Sequence, residues 1–404
     1  MFISVVPLFD RNLAVNAYLF LSQKTTNLMV STQNAFTMDG SNHFAALDMV
    51  NSIGLEALTG GLPLFIPINN IALLMNLESM CNADPNNIIF VIDNSVTPEA
   101  MYIDRIETLK SKGYKLGIQN ITDYTGSEVI IDFCDYILLN SKNKDIDIIK
   151  QYLNSRFYSL KIVLKNISTT DEFAKYESLN FNLYEGLFYR MPVTKGKNEI
   201  SPLKANYVQL MNLTNDENFD IGEVASIVQQ DTALAISLLR MVNSLRLASE
   251  VKSIKNAAAI LGQRELRKWI TTAVVSQLCM DKPNEITRIS LLRAKFAENL
   301  ATSFNMGIHA KELFLMGLFS VIDIILDMPM DQALATVKIT GDIQQALVSG
   351  KGRYSTALDF IQTYETADWQ QISFLLITHN ISADKVTQAF MDSIKWYSEL
   401  LSDF

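Results

Sequence analysis

The chain has 404 residues, 49% of them apolar and 19% charged, and carries a formal net charge of -9. That length exceeds one ordinary domain of about 100–150 residues, and that apolar share excludes a disordered acidic chain. The charge has the wrong sign for a protein that neutralises nucleic-acid phosphates, so no nucleic-acid partner is expected.

At the start, FISVVPLFD follows Met1 without the basic residues of a signal peptide. No run of about 18 apolar residues follows anywhere. No membrane association is expected, and the expected location is cytoplasmic. Cys81, Cys134 and Cys279 are far apart, odd in number and set among apolar residues, which reads as reduced core thiols.

From Asn87 to about Pro192, short β-rich runs alternate with longer helical ones, the spacing of parallel β/α units. IIFVID (Ile88 to Asp93) reads as a buried strand. Thr97 and Pro98 suit the N-cap and first turn of a helix running through MYIDRIETLKSK, and Gly113 suits its left-handed end. YKLGI, DYILLN, LKIVLK and NLYEGLF read as further strands of a closed or open parallel sheet with right-handed crossovers.

The polar stretch after Pro192 has no apolar period, and residues 193–202 read as a linker. Beyond it the apolar spacing is helical, as in Ile221, Val224, Ile227 and Val228, then Leu234, Leu238 and Val242. Asp231 reads as the cap of the helix TALAISLLRMV, and Gly262 as the stop before QRELRKWITTAVVSQL. No fixed-period repeat marks a solenoid. Domains are therefore expected over 1–192 and 203–404.

Residues 1–192 carry, in order, PLFDRN (from Pro7), Tyr18, LTGG (from Leu58), LFIPI (from Leu64), SVTP (from Ser95), LKSKGYKLGI (from Leu109), CDYILLN (from Cys134) and LYEGLFYRMP (from Leu183). Together these resemble the EAL cyclic-di-GMP phosphodiesterase barrel, in the version that precedes HDOD domains. The resemblance implies a (β/α) barrel whose oxygen ligands hold a divalent metal at the strand C-terminal ends. Position by position, the family's functional residues are replaced here by Leu19, Pro67, Val91, Gln119, Asn120, Leu138, Asn140, Lys165, Ser168 and Glu185. A one-residue slip near Val91 would leave Asp93 as a surviving acid, which also reads as a turn or helix-cap residue. A positive Lys165 about 4 Å from a dication would cost roughly 8 kcal/mol at an effective dielectric of 20.

The helical half carries Asp231, Ala233 and Leu234, then LLRMVNS (Leu238 to Ser244), then Val251, Ser253, Ile254, Ala257, Leu261, Gly262, Leu266 and Arg267. These resemble the HDOD family, a helical signalling domain related to the HD phosphohydrolases. The marking residues are Asp231, Asn243, Ser244, Gly262 and Arg267. Where that relationship implies a His-Asp pair, Ser320 and Val321 stand instead. Of three histidines His43 lies in the first half, His309 reads as a loop residue, and His379 as a helix end suited to the dipole. Asn243 and Ser244 read as capping or turn residues, Arg264, Arg267 and Lys268 as a solvated basic face, and the three tryptophans as packing.

The fold expected is thus α/β plus all-α, a degenerate EAL-type barrel followed by an HDOD domain. The expected function is non-catalytic bacterial signal transduction through protein–protein contacts, with no enzyme activity, no cofactor and no metal. A non-hydrolysing sensor of cyclic-di-GMP or another nucleotide is the alternative; an active phosphodiesterase requires the replacements to be misaligned. Expected partners are unidentified signalling proteins and a second copy of the chain, with cyclic-di-GMP binding disfavoured.

Overall fold

Eight strands close into a barrel in sequence order: β1 (Phe2–Phe9), β2 (Val15–Gln23), β3 (Leu64–Pro67), β4 (Ile88–Ile92), β5 (Lys115–Gln119), β6 (Tyr136–Asn140), β7 (Lys161–Ile167) and β8 (Leu183–Gly186). The structure is a computed structural model that describes residues 2–23, 41–124, 126–196, 199–216, 218–245 and 251–402. Lys197 and Asn198, within the expected linker, lie outside these residues.

From β2 to β8 neighbouring strands are parallel, as the β/α spacing predicts for β4 onward. β1, which lies before the stretch read as β/α units, is antiparallel to both β2 and β8. The cause is the short link after Phe9. Parallel strands need a crossover of a dozen or more residues, whereas a tight turn joins only antiparallel ones. Here Asp10 Oδ1 accepts the Asn12 and Ala14 N–H groups at 2.8 and 3.0 Å, and Leu13 takes the left-handed region at φ 62°.

Alternate strand residues point inward. Leu8, Ala17, Leu19, Phe65, Ile89, Val91, Leu138, Val163 and Leu183 pack as one apolar cluster. β4 is buried at all five positions, as expected where helices cover the outer face of a parallel sheet. Between β7 and β8 the register shifts, and Gly186 at φ 148° lies so close to Ile167 that a Cβ would fall 2.0 Å from its carbonyl oxygen.

The helix expected from Thr97 begins instead at Ala100, with Glu99 at the N-cap position. Thr97 Oγ1 bonds the Glu99 carboxylate at 3.0 Å rather than capping a backbone N–H. The helix ends at Ser111, and Gly113 follows at φ 90°.

Two compact units divide the chain. One holds the described residues up to Met191 together with Phe360–Lys395; the other holds Pro192–Asp359 and residues 396–402. The sequence boundary at 203–404 differs from this division at Phe360–Lys395, because helical periodicity identifies a helix without showing which core it joins. In the second unit Asp231 caps the helix Thr232–Ser244, accepting the Leu234 N–H at 3.0 Å. Gly262, at φ 69° and ψ 170°, breaks the long helical run Ile254–Leu278 in two. Cys81, Cys134 and Cys279 are buried free thiols, and burial pushes the Cys279 thiol up to about 11. Among the described residues no helix is long and apolar enough to cross a membrane.

Candidate functional site

The C-terminal ends of β2 to β8 form the mouth of the barrel, where barrel chemistry is built. Strand alternation decides what faces it. Leu19, Val91 and Leu138 belong to the apolar cluster, one step below the mouth. Two residues beyond cluster members stand Pro67, Asp93, Asn140, Lys165 and Glu185, and Gln119 stands two beyond Gly117, where a Cβ would meet the cluster residues Val91 and Leu138. Asn120 follows β5 at φ 58°, and Ser168 follows β7 with its N–H bonded to Glu172 Oε2 at 2.7 Å. The ten replaced positions are therefore distributed between the inner core, the mouth and the loops that leave it.

Across the mouth one side-chain bond is clear: Lys165 Nζ donates to Gln119 Oε1 at 3.2 Å. Burial pulls the Lys165 pKa down, and the nearby Glu185 carboxylate acts the other way. The other acceptors turn to their own loops. Glu185 Oε2 takes the Asn166 N–H at 2.9 Å, and Asn140 Oδ1 takes the Lys142 N–H at 3.0 Å. Asp93 Oδ1 takes both the N–H and the hydroxyl of Ser95, at 2.9 and 2.5 Å. Ser95 Oγ in turn accepts the Asn70 N–H at 3.0 Å. Asp93 is thus placed one layer above Val91 and used as a turn residue.

These donors do not fit a divalent cation. Hard dications take several oxygen ligands, most of them carboxylates. The mouth offers neutral amides at Gln119 and Asn140, an ammonium at Lys165 and no side-chain ligand at Pro67. Its carboxylates, Asp93 and Glu185, are spent on backbone N–H groups. Among the described residues no three His, Cys, Asp or Glu side chains gather as a metal cluster.

In the helical unit the marking residues brace the fold. Asp231 Oδ2 also accepts the Tyr207 hydroxyl at 2.6 Å. Asn243 makes two hydrogen bonds with Val251, donating to its carbonyl at 3.0 Å and accepting its N–H at 2.8 Å. Ser244 Oγ returns to the Met241 carbonyl at 2.7 Å. Arg267 donates to the Asp216 carbonyl at 2.5 Å and lies 5.5 Å from the Phe219 ring centroid, so the basic face read from the sequence is partly an anchor. Arg264 and Lys268 remain exposed beside Glu265.

Ser320 is buried and accepts from Arg293 Nη1 at 3.0 Å, while Val321 is buried and apolar. His309 closes a short 3-10 turn, with Nδ1 3.4 Å from Glu312 and Nε2 3.2 Å from Arg353; His379 ends the helix Trp369–His379. His43 falls in the helix Ser41–Ile53. Sequence reasoning did not find the Arg293–Ser320 bond or the Ser95–Asn70 link. The signal for the first was an arginine inside an otherwise apolar helical stripe.

The HDOD domain family matches residues 200–339. Cyclic di-GMP phosphodiesterase CdgJ of Vibrio cholerae is 26% identical over 318 residues, which cover 78% of this chain and 74% of that protein. YuxH of Bacillus subtilis is 24% identical over 413 residues, covering 99% and 98%. Among solved structures, Klebsiella pneumoniae BlrP1 in a complex with calcium and cyclic di-GMP aligns at a TM-score of 0.39 and 14% identity. That alignment covers 47% of this chain, which spans about half (55%) of the solved one. The expected architecture stands in its coarse form: an eight-stranded barrel precedes a helical region that the HDOD domain family matches. The expectation that the chain is not an enzyme is corrected, because the Vibrio cholerae relative carries the name of a phosphodiesterase. Replacement of the ten positions does not by itself exclude catalysis.

Proposed function

We propose that this chain, an eight-stranded barrel followed by an HDOD domain, is a bacterial signal-transduction protein of the cyclic di-GMP circuit that acts through contacts between its helical domain and other signalling proteins. The observation that carries this reading is how the marking residues of that domain spend their polar groups. Asp231, Asn243, Ser244 and Arg267 all bond within the domain and fix helix ends and loops. Such bonds build a shaped surface, and a fixed shape is what a protein partner reads. Affinity capture by the full chain from extracts of its source cells tests this. A partner recovered by the wild type and lost on Asn243→Ala is the expected result; equal recovery by both contradicts it.

A second reading is that the barrel mouth recognises cyclic di-GMP and turns it over, as the relative's name says of that protein. Its support in this chain is the Lys165 ammonium, fixed by Gln119, a cation placed where a phosphodiester would enter. On this reading Lys165 and Gln119 bind and orient the anion. Calorimetry and product analysis with purified chain, with Mg or Mn and without, check it. Binding or turnover that falls at least about tenfold in Lys165→Met supports the reading, since a charge-assisted contact contributes about 1.5–3 kcal/mol. No heat and no product reject it.

A further inference from the structure

The barrel wall is thin at one seam. β1 has eight residues and β8 four, and their ladder pairs Phe9 with Tyr184 alone. Phe2 pairs with Gln23, the last residue of β2, so the start of β1 lies at the mouth end. Toward the mouth, the β8 side of β1 therefore has no strand bonded to it among the described residues.

Residues from the far end of the chain occupy this seam. Phe360–Lys395 belongs to the same compact unit as the barrel. The Tyr364 hydroxyl accepts the Ile3 N–H at 3.3 Å, taking the place a strand carbonyl would fill. The Trp369 ring stacks on Phe2 at 5.6 Å and 14°, and Tyr364 meets Phe2 edge-on at 6.5 Å. On the other lip Arg190, in the turn after β8, pairs with Glu365. Phe2, Tyr364 and Trp369 are all buried. Both lips are thus held by one short stretch, through side chains instead of a hydrogen-bonded ladder.

A closure of this kind can open without unzipping the sheet, because the β1–β2 ladder does not depend on it. The stretch is also tied to the helical domain by covalent continuity. The helix Ser355–Glu365 crosses from the second unit into the first at Phe360, and the helix Ala383–Ser402 returns at Trp396. We propose that Phe360–Lys395 is a strap that closes the β1–β8 seam at the barrel mouth and opens as a unit, setting access to Lys165. This goes beyond the partner-binding reading and holds whichever chemistry the mouth performs.

Native-state hydrogen exchange of the full chain, combined with amine labelling, tests it. In wild type, the Ile3 amide, which bonds Tyr364, and peptides covering 360–395 are expected to exchange together, at least about tenfold faster than β4 to β6. In the Tyr364→Phe, Glu365→Gln double variant both should speed up further while β4 to β6 do not change. Lys165 should then label several-fold faster relative to exposed Lys142. Exchange of the Ile3 amide and these peptides at the same rate as β4 to β6 in the wild type overturns the proposal even if the variant does not fold. Unlinked exchange of the two, or unchanged Lys165 labelling in a folded variant, overturns it equally.

Discussion

Lys165 stands on the inward face of β7 with its ammonium bonded to Gln119. Desolvation opposes its charge, so replacing it with an apolar side chain of similar length relieves a cost. Lys165→Met is expected to unfold at the same urea concentration as wild type or at a higher one, by up to about 2 kcal/mol. A loss of stability would show instead that the ammonium holds the mouth together. Asn243 gives the opposite case, because its amide satisfies both backbone groups of Val251. Asn243→Ala leaves them unpaired and is expected to cost about 1–3 kcal/mol, read as a lower melting temperature. Glu78 supplies a pH dependence. The Arg105 guanidinium, helped by Lys112 at 2.7 Å, holds its carboxyl down at about 2 against an ordinary 4.5. A carboxyl depressed in the folded state adds stability that is complete above its unfolded pKa and is lost as pH falls through the folded one. Glu78→Gln should therefore be about 2 kcal/mol less stable than wild type at neutral pH. The two should converge as pH falls from about 4.5 toward 2.

At the scale of elements, the β7–β8 crossing gives a sharp test. A Cβ on Gly186 would meet the Ile167 carbonyl, whereas one on Gly341 meets nothing within 4 Å. Gly186→Ala is expected to cost more than about 2 kcal/mol and Gly341→Ala less than about 1, in parallel urea titrations. The strands from β4 onward were legible because a parallel strand covered on both faces reads as an unbroken apolar run, as IIFVI does. The direction of β1 was not, since an apolar strand carries no mark of its polarity and only the tight Asp10 turn fixes it. Asp231 and Gly262 were legible because a cap and a helix break each depend on one residue's local chemistry. The membership of Phe360–Lys395 was hidden for the opposite reason. The Ile3–Tyr364 bond joins residues 361 positions apart, and no local pattern encodes such a pairing.

For the whole molecule, the order of the two domains was legible from motifs, and the HDOD match at 200–339 agrees with it. Gln119, Asn140, Lys165 and Glu185 stand at the mouth ends of β5 to β8. The layering of the mouth was not legible. Leu19, Val91 and Leu138 belong to the packed core, and Asp93 holds the mouth level just after β4. That distinction comes from strand stagger, which sequence spacing does not report. The replacement of site residues does not by itself settle activity, and the Vibrio cholerae relative carries the name of a phosphodiesterase. The central claim concerns the helical domain, and cross-linking of the full chain in extracts of its source cells, with the links mapped by mass spectrometry, tests it most directly. The account predicts links to a distinct protein partner that concentrate within residues 200–339. Links to a partner confined to residues 2–191, or none above those of an unrelated control protein, would contradict it.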